Sequence, residues 1–435
     1  MKSIFCKSLA AILFFYGFAV AAFADALDHW TSEQITNQAN EYASDGAFFT
    51  SVASGNGVYV AVGQYAYGDP GFIESSNDGT NWTLPSTMDG IAYGPVMPWD
   101  LFDVTYGNGI FVACGWDYAQ GGNLYSSPDG INWTAHQSKI TDIYRVIYGN
   151  GLFVAVGDGF PTNGDPNVLT NKNIFTSPDG TNWTAQNSGS PANDVHFLSD
   201  VAWGAGKFIA VDNDSHFYTS SSGTAWTRTT SSYPLAGNVS FCNGLFIVPS
   251  GPGTNLLSPN GTTWSAVTNT TATMFGRVIY TNGLYVAIPT SALFVNEIEI
   301  QQVNAAIFTS TDATNWAQRN YQGPTNEMLT DIVFGGRNFV AVGFENNLNN
   351  SPAGPDISTV SISDPIVALA LNPGFPPQLE VSGVQNWNYG IQYSAGLNPA
   401  NWQTLTNFTL SNSPLIWTDG TATNSQRYYR AAWLP

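Results

Sequence analysis

Tyr148-Gly149-Asn150-Gly151-Leu152-Phe153-Val154-Ala155-Val156-Gly157, followed after a gap by Ile174-Phe175-Thr176-Ser177-Pro178-Asp179-Gly180-Thr181-Asn182-Trp183-Thr184, is the stretch on which the fold turns. Asn-Gly and Asp-Gly between apolar or β-branched runs are hairpin signals, because both residues tolerate the positive φ that a tight turn between twisted strands demands. The stretch therefore reads as two hairpins, four short strands in all. It recurs. The second hairpin is repeated at Ser76 to Trp82, Ser127 to Trp133, Ser177 to Trp183, Ser220 to Trp226, Ser258 to Trp264 and Ser310 to Trp316. The first is repeated at Gly55-Asn56-Gly57, Gly107-Asn108-Gly109, Gly204-Ala205-Gly206, Cys242-Asn243-Gly244, Thr281-Asn282-Gly283 and Gly335-Gly336-Arg337. A four-stranded unit with a period of about 40–55 residues predicts the blades of an all-β propeller, each blade too small to bury its faces until neighbours stack on it.

The copy that begins at Asp331 supplies three strands, ending with Thr359-Val360-Ser361-Ile362, and then Ser363-Asp364-Pro365 with no Trp after it. Asp28-His29-Trp30-Thr31 near the start of the chain matches the missing fourth strand. The expectation is a seven-bladed ring over 25–365, closed by pairing the N-terminal strand onto the last blade and so removing an open sheet edge. After Pro365 the repeat stops. Short alternating runs at Ile366 to Leu371, Gln378 to Val381, Tyr389 to Tyr393, Trp402 to Phe408, Leu415 to Trp417 and Arg427 to Trp433 predict a small antiparallel β-sandwich over 366–435, of immunoglobulin or fibronectin-III type.

Residues 1–24 read as a cleaved secretory signal, with Lys2 and Lys7 before the apolar run Leu9 to Phe23 and Ala22-Phe23-Ala24 at its end. This implies a secreted or cell-surface protein, and no later stretch is long enough to span a bilayer. The signal holds two Lys and no acids, so its removal takes the formal charge from -19 to -21. Such a field disfavours nucleic acid. Cys114 and Cys242, in different blades, are expected to be free thiols.

The pattern Ser-x-Asp-Gly-x-x-Trp resembles, with one residue shifted, the Asp-box of sialidase-type (BNR-like) propellers, over residues 28 to 365. The resemblance implies a turn in which Asp caps backbone amides and Trp packs inside the blade, a structural role and not a catalytic one. The Arg-Ile-Pro stretch of sialidases is absent, and only one propeller is present where the xyloglucanases with Asp-boxes have two. The segment from Tyr389-Gly390-Ile391-Gln392-Tyr393-Ser394 to Arg427-Tyr428-Tyr429-Arg430 is similar to a sandwich module at the ends of secreted proteins of Verrucomicrobia-type bacteria.

Four antiparallel strands per blade put every Asn-Gly and Asp-Gly turn on one face and every long loop on the other. The long-loop face is where a binding surface is expected. Its candidates are Tyr65, Tyr67, Trp99, Trp116, Asp117, Tyr118 and Phe160, since aromatics beside acids suit the apolar faces and hydroxyls of sugars. A second set comes from aligning the first strands: Ser51, Asp103, Arg145, Asp200, Asn238, Arg277 and Asp331 should ring a central channel. These either hold a charged or hydroxyl-rich ligand or pair between blades, and pairing is preferred because a lone near-axis charge is costly. His29, His136, His196 and His216 are placed in different blades without ligand spacing, so neither metal nor cofactor is expected. No nucleophile motif is present. The leading reading is a non-catalytic protein that binds an extracellular glycan or protein. The alternatives are a glycan-active hydrolase or lyase using carboxylates on the same face, and an adhesin-like structural protein.

Overall fold

In the computed structural model, the structure describes residues 27, 30–34, 47–65, 71–83, 87–89, 100–116, 122–140, 142–158, 171–191, 196–212, 214–271, 273–281, 283–290, 305–319, 321, 323–324, 326–336, 338–345, 357–363, 368–372, 376–382, 388–395, 402–411, 415–422 and 427–434. These are all-β, and the signal-like segment 1–24 lies outside them.

The stretch Tyr148 to Thr184 forms the sheet its turns predict. Ile143–Gly149, Leu152–Gly157, Ile174–Ser177 and Thr184–Gln186 lie side by side in that order, each antiparallel to the next. Asn150 and Gly151 both have positive φ, 53° and 74°, so the turn twists with its strands. Three more four-stranded sheets repeat this order, beginning at Asp200–Gly204, Ser240–Cys242 and Phe275–Thr281.

The Ser-x-Asp-Gly-x-x-Trp turn is a small hydrogen-bonded device. At Asp129, Oδ1 accepts from the amides of Ile131 and Asn132 at 2.9 and 2.8 Å, and Oδ2 accepts from Asn132 Nδ2 at 2.7 Å. Ser127 Oγ accepts from the Gly130 amide at 2.8 Å, and the Trp133 indole N–H donates to Gly130 O at 3.1 Å. The same indole bond closes the copies at Trp82, Trp183, Trp226 and Trp316. Where Asp is replaced by Asn260, the side-chain oxygen still takes both amides at 2.9 Å.

Three sheets depart from the pattern. Ala47–Gly55, Val58–Tyr65 and Phe72–Ser76 form a three-stranded sheet whose expected fourth strand is reduced to a single bridge between Ser75 and Thr83. Beyond this bridge, Thr87–Asp89 forms a strand that pairs parallel with Asn132 to Thr134 of the next sheet. It covers what would be that sheet's exposed outer edge. The last sheet, Glu327–Phe334, Phe339–Glu345 and Ile357–Ser363, is completed by Trp30–Gln34, with Trp30 opposite Ser363. The Trp30 indole donates to Leu27 O at 2.8 Å, the bond to the third residue before it that the box tryptophans make.

Buried side chains join each sheet to the next. Val112, Cys114 and Leu124 pack with Val146, Phe153 and Phe175, and Val154, Val156 and Ile174 pack with Val201, Phe208 and Tyr218. The cycle closes where Val340, Val342 and Val360 meet Phe49, Val52 and Tyr59. Cys114 and Cys242 are both free and buried. In the C-terminal segment, Ala368–Asn372, Gln378–Ser382 and Leu415–Thr418 form one antiparallel sheet. Asn388–Ser394, Gln403–Thr409 and Tyr428–Leu434 form another. Leu379, Val381, Tyr389 and Ile391 share one apolar cluster between them. Among the described residues no helix is long and apolar enough to cross a membrane.

Candidate functional site

The first strand of each sheet carries a polar residue just before a buried Val or Ile, and these polar residues meet. Ser51 Oγ lies 2.8 Å from both Asp103 Oδ1 and Asp331 Oδ2. Arg145 sits between two carboxylates, Nη1 3.1 Å from Asp103 Oδ1 and Nε 3.1 Å from Asp200 Oδ1. Each aspartate also accepts a backbone amide from the following sheet: Asp103 from Val146 at 2.9 Å, Asp200 from Val239 at 2.9 Å, Asp331 from Val52 at 3.1 Å. Asn238 differs, its amide nitrogen donating to Ala236 O at 3.2 Å. Burial pushes the carboxyls of Asp103 and Asp200 up to about 6 each, against the pull of Arg145 and the amides. Burial works against the Arg145 charge too, but Asp103, Asp200 and Asp331 together hold its pKa above the ordinary value.

Three residues further along the same strands come Tyr106, Tyr148, Trp203, Phe241, Tyr280 and Phe334, with Ser54 as the exception. Each of these rings packs on the facing ring of its own hairpin, Phe111, Phe153, Phe208, Phe246, Tyr285 and Phe339, with centroids 4.4–4.9 Å apart. Several also lie over a glycine of the preceding sheet: a side chain at Gly107 would collide with Tyr148, and one at Gly149 with Trp203. This aromatic tier was not singled out from sequence. Its signal is the fixed offset of three from the polar ring. A cavity of about 320 Å³ opens there, lined by five consecutive first strands and including Tyr148, Trp203, Phe241, Arg277 and Tyr280.

At the other end of these strands lies the long-loop face. The residue before the polar ring is Thr50, Ser199 or Thr330 in three sheets, and each hydroxyl ties its sheet to the next: Thr50 to Leu101 O at 2.8 Å, Ser199 to Gly237 O at 2.7 Å, Thr330 to Phe49 O at 2.8 Å. At two adjacent sheets the equivalent residues are Phe102 and Tyr144. Their rings stack at 5.6 Å, and Tyr144 meets Phe197 edge-on at 5.7 Å. All three are half-buried. Asp142 accepts from the Tyr144 hydroxyl at 3.3 Å, and Asp158, hydrogen-bonded to the same tyrosine, is pushed up to about 7 by burial and by Asp142. Burial and Asp142 push Asp100 up to about 6. Two ties between sheets have thus given way to a row of aromatics flanked by three carboxyls.

Of the loop residues predicted from sequence, Tyr65 ends its strand opposite Ala47. Trp116 is half-buried and is the register partner of Asp100, so it belongs beside this patch. Tyr67, Trp99, Asp117, Tyr118 and Phe160 lie outside the described residues. Phe102, Tyr144 and Phe197 were missed; the first two break a position held by Thr or Ser in three sheets, which aligning the first strands makes visible, while Phe197 lies outside that alignment.

The histidines need one correction. His196 and His216 were expected in different blades, but their rings stack with centroids 5.2 Å apart. His216 Nδ1 is 2.8 Å from the buried Asp212, its Nε2 is 2.6 Å from Arg228 Nη2, and His196 pairs with Asp214. The reason is local: the strand His216–Ser220 returns antiparallel to Lys207–Val211, which brings the entry to the sheet back against its middle. His136 is hydrogen-bonded to Ser126 at 2.6 Å. Among the described residues no group of three or more His, Cys, Asp or Glu is arranged to hold a metal ion.

No protein-family model matches the sequence, and neither does any curated protein. Among solved structures, the chain is similar to YCF48 bound to a D1 peptide, at 15% identity and a TM-score of 0.50, covering 77% of this chain and 94% of that one. It is also similar to a chain of the mitotic checkpoint complex, at 8% identity and a TM-score of 0.49 over 78% of this chain and 94% of that one. The WD40 propeller domain of Doa1 matches at 11% identity and a TM-score of 0.46, over 74% of this chain and 96% of that one. With the cyclic packing of antiparallel sheets, the first of these likenesses shows that the fold is a β-propeller.

Proposed function

We propose that the chain is a secreted, non-catalytic binding protein that recognises an extracellular glycan or protein through the long-loop face of a seven-bladed propeller. The N-terminal strand closes the ring, turns of Asp-box type brace it, and 366–435 form a separate sandwich. The observation that carries the reading is the row Phe102, Tyr144 and Phe197 beside Asp100, Asp142 and Asp158. At the position of Phe102 and Tyr144, three other sheets hold a hydroxyl that ties the sheet to the next, and the remaining two hold Gly237 and Gly276. Half-exposed rings offer flat apolar area to a sugar, and carboxyls offer acceptors to its hydroxyls. A binding role also agrees with the YCF48 structure, whose partner is a peptide.

One observation favours a second reading on the same face. Asp158 is pushed up to about 7, the protonation state a general acid needs at neutral pH, and a second carboxyl, Asp142, lies near it. Such a pair would serve a glycan hydrolase or lyase. Both readings are tested by presenting the purified chain to a panel of polysaccharides and recording retention and released sugar together. Retention without release, lost on Phe102→Ala or Trp116→Ala, supports binding. Released sugar that disappears on Asp158→Asn overturns it in favour of catalysis.

A further inference from the structure

The cavity at the aromatic tier is chemically unlike the long-loop face. Four rings line it, Tyr148, Trp203, Phe241 and Tyr280, and the charged residue on its wall is Arg277. Arg145, the other arginine of the polar ring, is spent: it lies between Asp103 and Asp200 and hydrogen-bonds the first. Arg277 meets one carboxylate instead of two: its Nε pairs with Asp331 Oδ1 at 3.2 Å, outside hydrogen-bond geometry. Asp331, for its part, accepts from the Ile332 and Val52 amides and from Ser51. The Arg277 side chain remains 31% exposed, on the cavity wall. Planar guanidinium forks pair best with carboxylate-like groups, and the remaining polar groups of the rings, the Trp203 indole N–H and the Tyr148 and Tyr280 hydroxyls, can all donate. The volume of about 320 Å³ is at the small end of ligand pockets, which span about 300–1,000 Å³, and so suits a small molecule and not a folded partner.

We infer that this cavity is a second binding site, for a small aromatic carboxylate whose acid group pairs with the Arg277 guanidinium while its ring lies among Trp203, Phe241 and Tyr280. The site is independent of the long-loop face and of whatever binds there.

The test is calorimetric titration of the purified full chain with 4-hydroxyphenylacetate and, separately, with its neutral amide. The acid should bind saturably and quench tryptophan fluorescence. The amide should bind at least about tenfold more weakly, since it cannot form the charge-assisted pair with the guanidinium. Arg277→Gln should reduce the acid's affinity to that of the amide, and Trp203→Phe should abolish most of the quenching. Equal affinity for acid and amide, or no saturable binding of the acid, overturns the inference. The comparison of acid with amide is made on the unaltered chain, so it decides the matter even if a variant fails to fold. An Arg277→Gln chain that melts normally and binds the acid as well as the unaltered chain also overturns it.

Discussion

The carboxylate of Asp331 accepts a hydrogen bond at 3.1 Å from the backbone amide of Val52, 279 positions earlier in the chain. The same carboxylate oxygen reaches Ser51 Oγ at 2.8 Å, and Ser51 in turn reaches Asp103. The first and last sheets therefore meet at the centre by the contact that joins their neighbours, and at the periphery Trp30–Gln34 completes the last sheet.

Closure at the periphery should depend on Trp30. Its ring is 8% exposed, meets Tyr321 edge-on at 5.6 Å and sits in the cluster with Leu27, Leu329 and Phe339. Trp30→Ala is expected to cost about 3–5 kcal/mol, the usual range for a buried aromatic. Urea unfolding followed by fluorescence measures it, and a cost below about 1 kcal/mol would mean the N-terminal strand does not hold the ring.

The turn aspartates should be replaceable by Asn but not by Ala. Asp129 takes two amides, and Asn260 does the same for the fifth copy. Asp129→Asn is expected to cost about 0.5 kcal/mol, since it keeps both backbone bonds but cannot accept from Asn132 Nδ2, and Asp129→Ala about 1–2 kcal/mol, modest because the turn is largely solvated. Thermal melts of the two variants make the comparison.

Ala313 stands where the other boxes have Gly79, Gly130, Gly180, Gly223 and Gly261, and it holds the same left-handed backbone at φ 61°. An L side chain pays about 1–2 kcal/mol for that conformation. Its methyl is buried, so part of the cost is offset by packing. Ala313→Gly should stabilise the chain by about 0.5–1 kcal/mol, read as a rise in urea midpoint, and a fall would show that the methyl contact outweighs the strain.

Stability should rise as the solution is acidified from pH 8 and then fall. Burial raises Glu74 and Asp158 to about 7 and Asp103 and Asp200 to about 6, all above their unfolded values. Folding therefore takes up protons in this window, so the stability these groups contribute is full below about pH 4 and is lost as pH rises through about 6–7. Asp129 and Asp312 have the opposite sign. Burial tends to raise them, but the turn amides and Asn132 or Asn315 outweigh it and hold them down at about 2. Their contribution is present above about pH 4 and is lost as pH falls toward about 2. Glu74 is 2% exposed with Oε2 unpartnered, so Glu74→Gln should stabilise the chain at pH 8 by about 1–3 kcal/mol and flatten the slope between pH 5 and 8. Urea midpoints across that range check it.

Local chemistry made the hairpins legible. Asn-Gly pairs fix positive φ over two residues, Asp caps amides two and three positions ahead, and Trp bonds three positions back, so none of these needs a distant partner. The matching of Asp28-His29-Trp30-Thr31 to the missing strand was legible for the same reason: it is a fragment of a repeated local code. The C-terminal strands followed from alternation alone, each observed strand overlapping the run that predicted it.

What depended on tertiary structure is what crosses between sheets. Alignment of the first strands could name Asp103, Arg145, Asp200 and Arg277, but only packing decided that Arg145 is held between two carboxylates while Arg277 meets one, Asp331, and also faces a cavity. The same holds for Phe102, Tyr144 and Phe197, and for the stacked pair His196 and His216, whose contacts run between segments that carry no mark of each other in sequence. By itself the sequence determined the hairpins, their repetition and the residue offered at each inner position. Which of those residues would neutralise one another, and which would be left facing open space, was settled by the distances that stacking imposes, because charge pairing and ring contact act over a few ångströms that chain order does not encode.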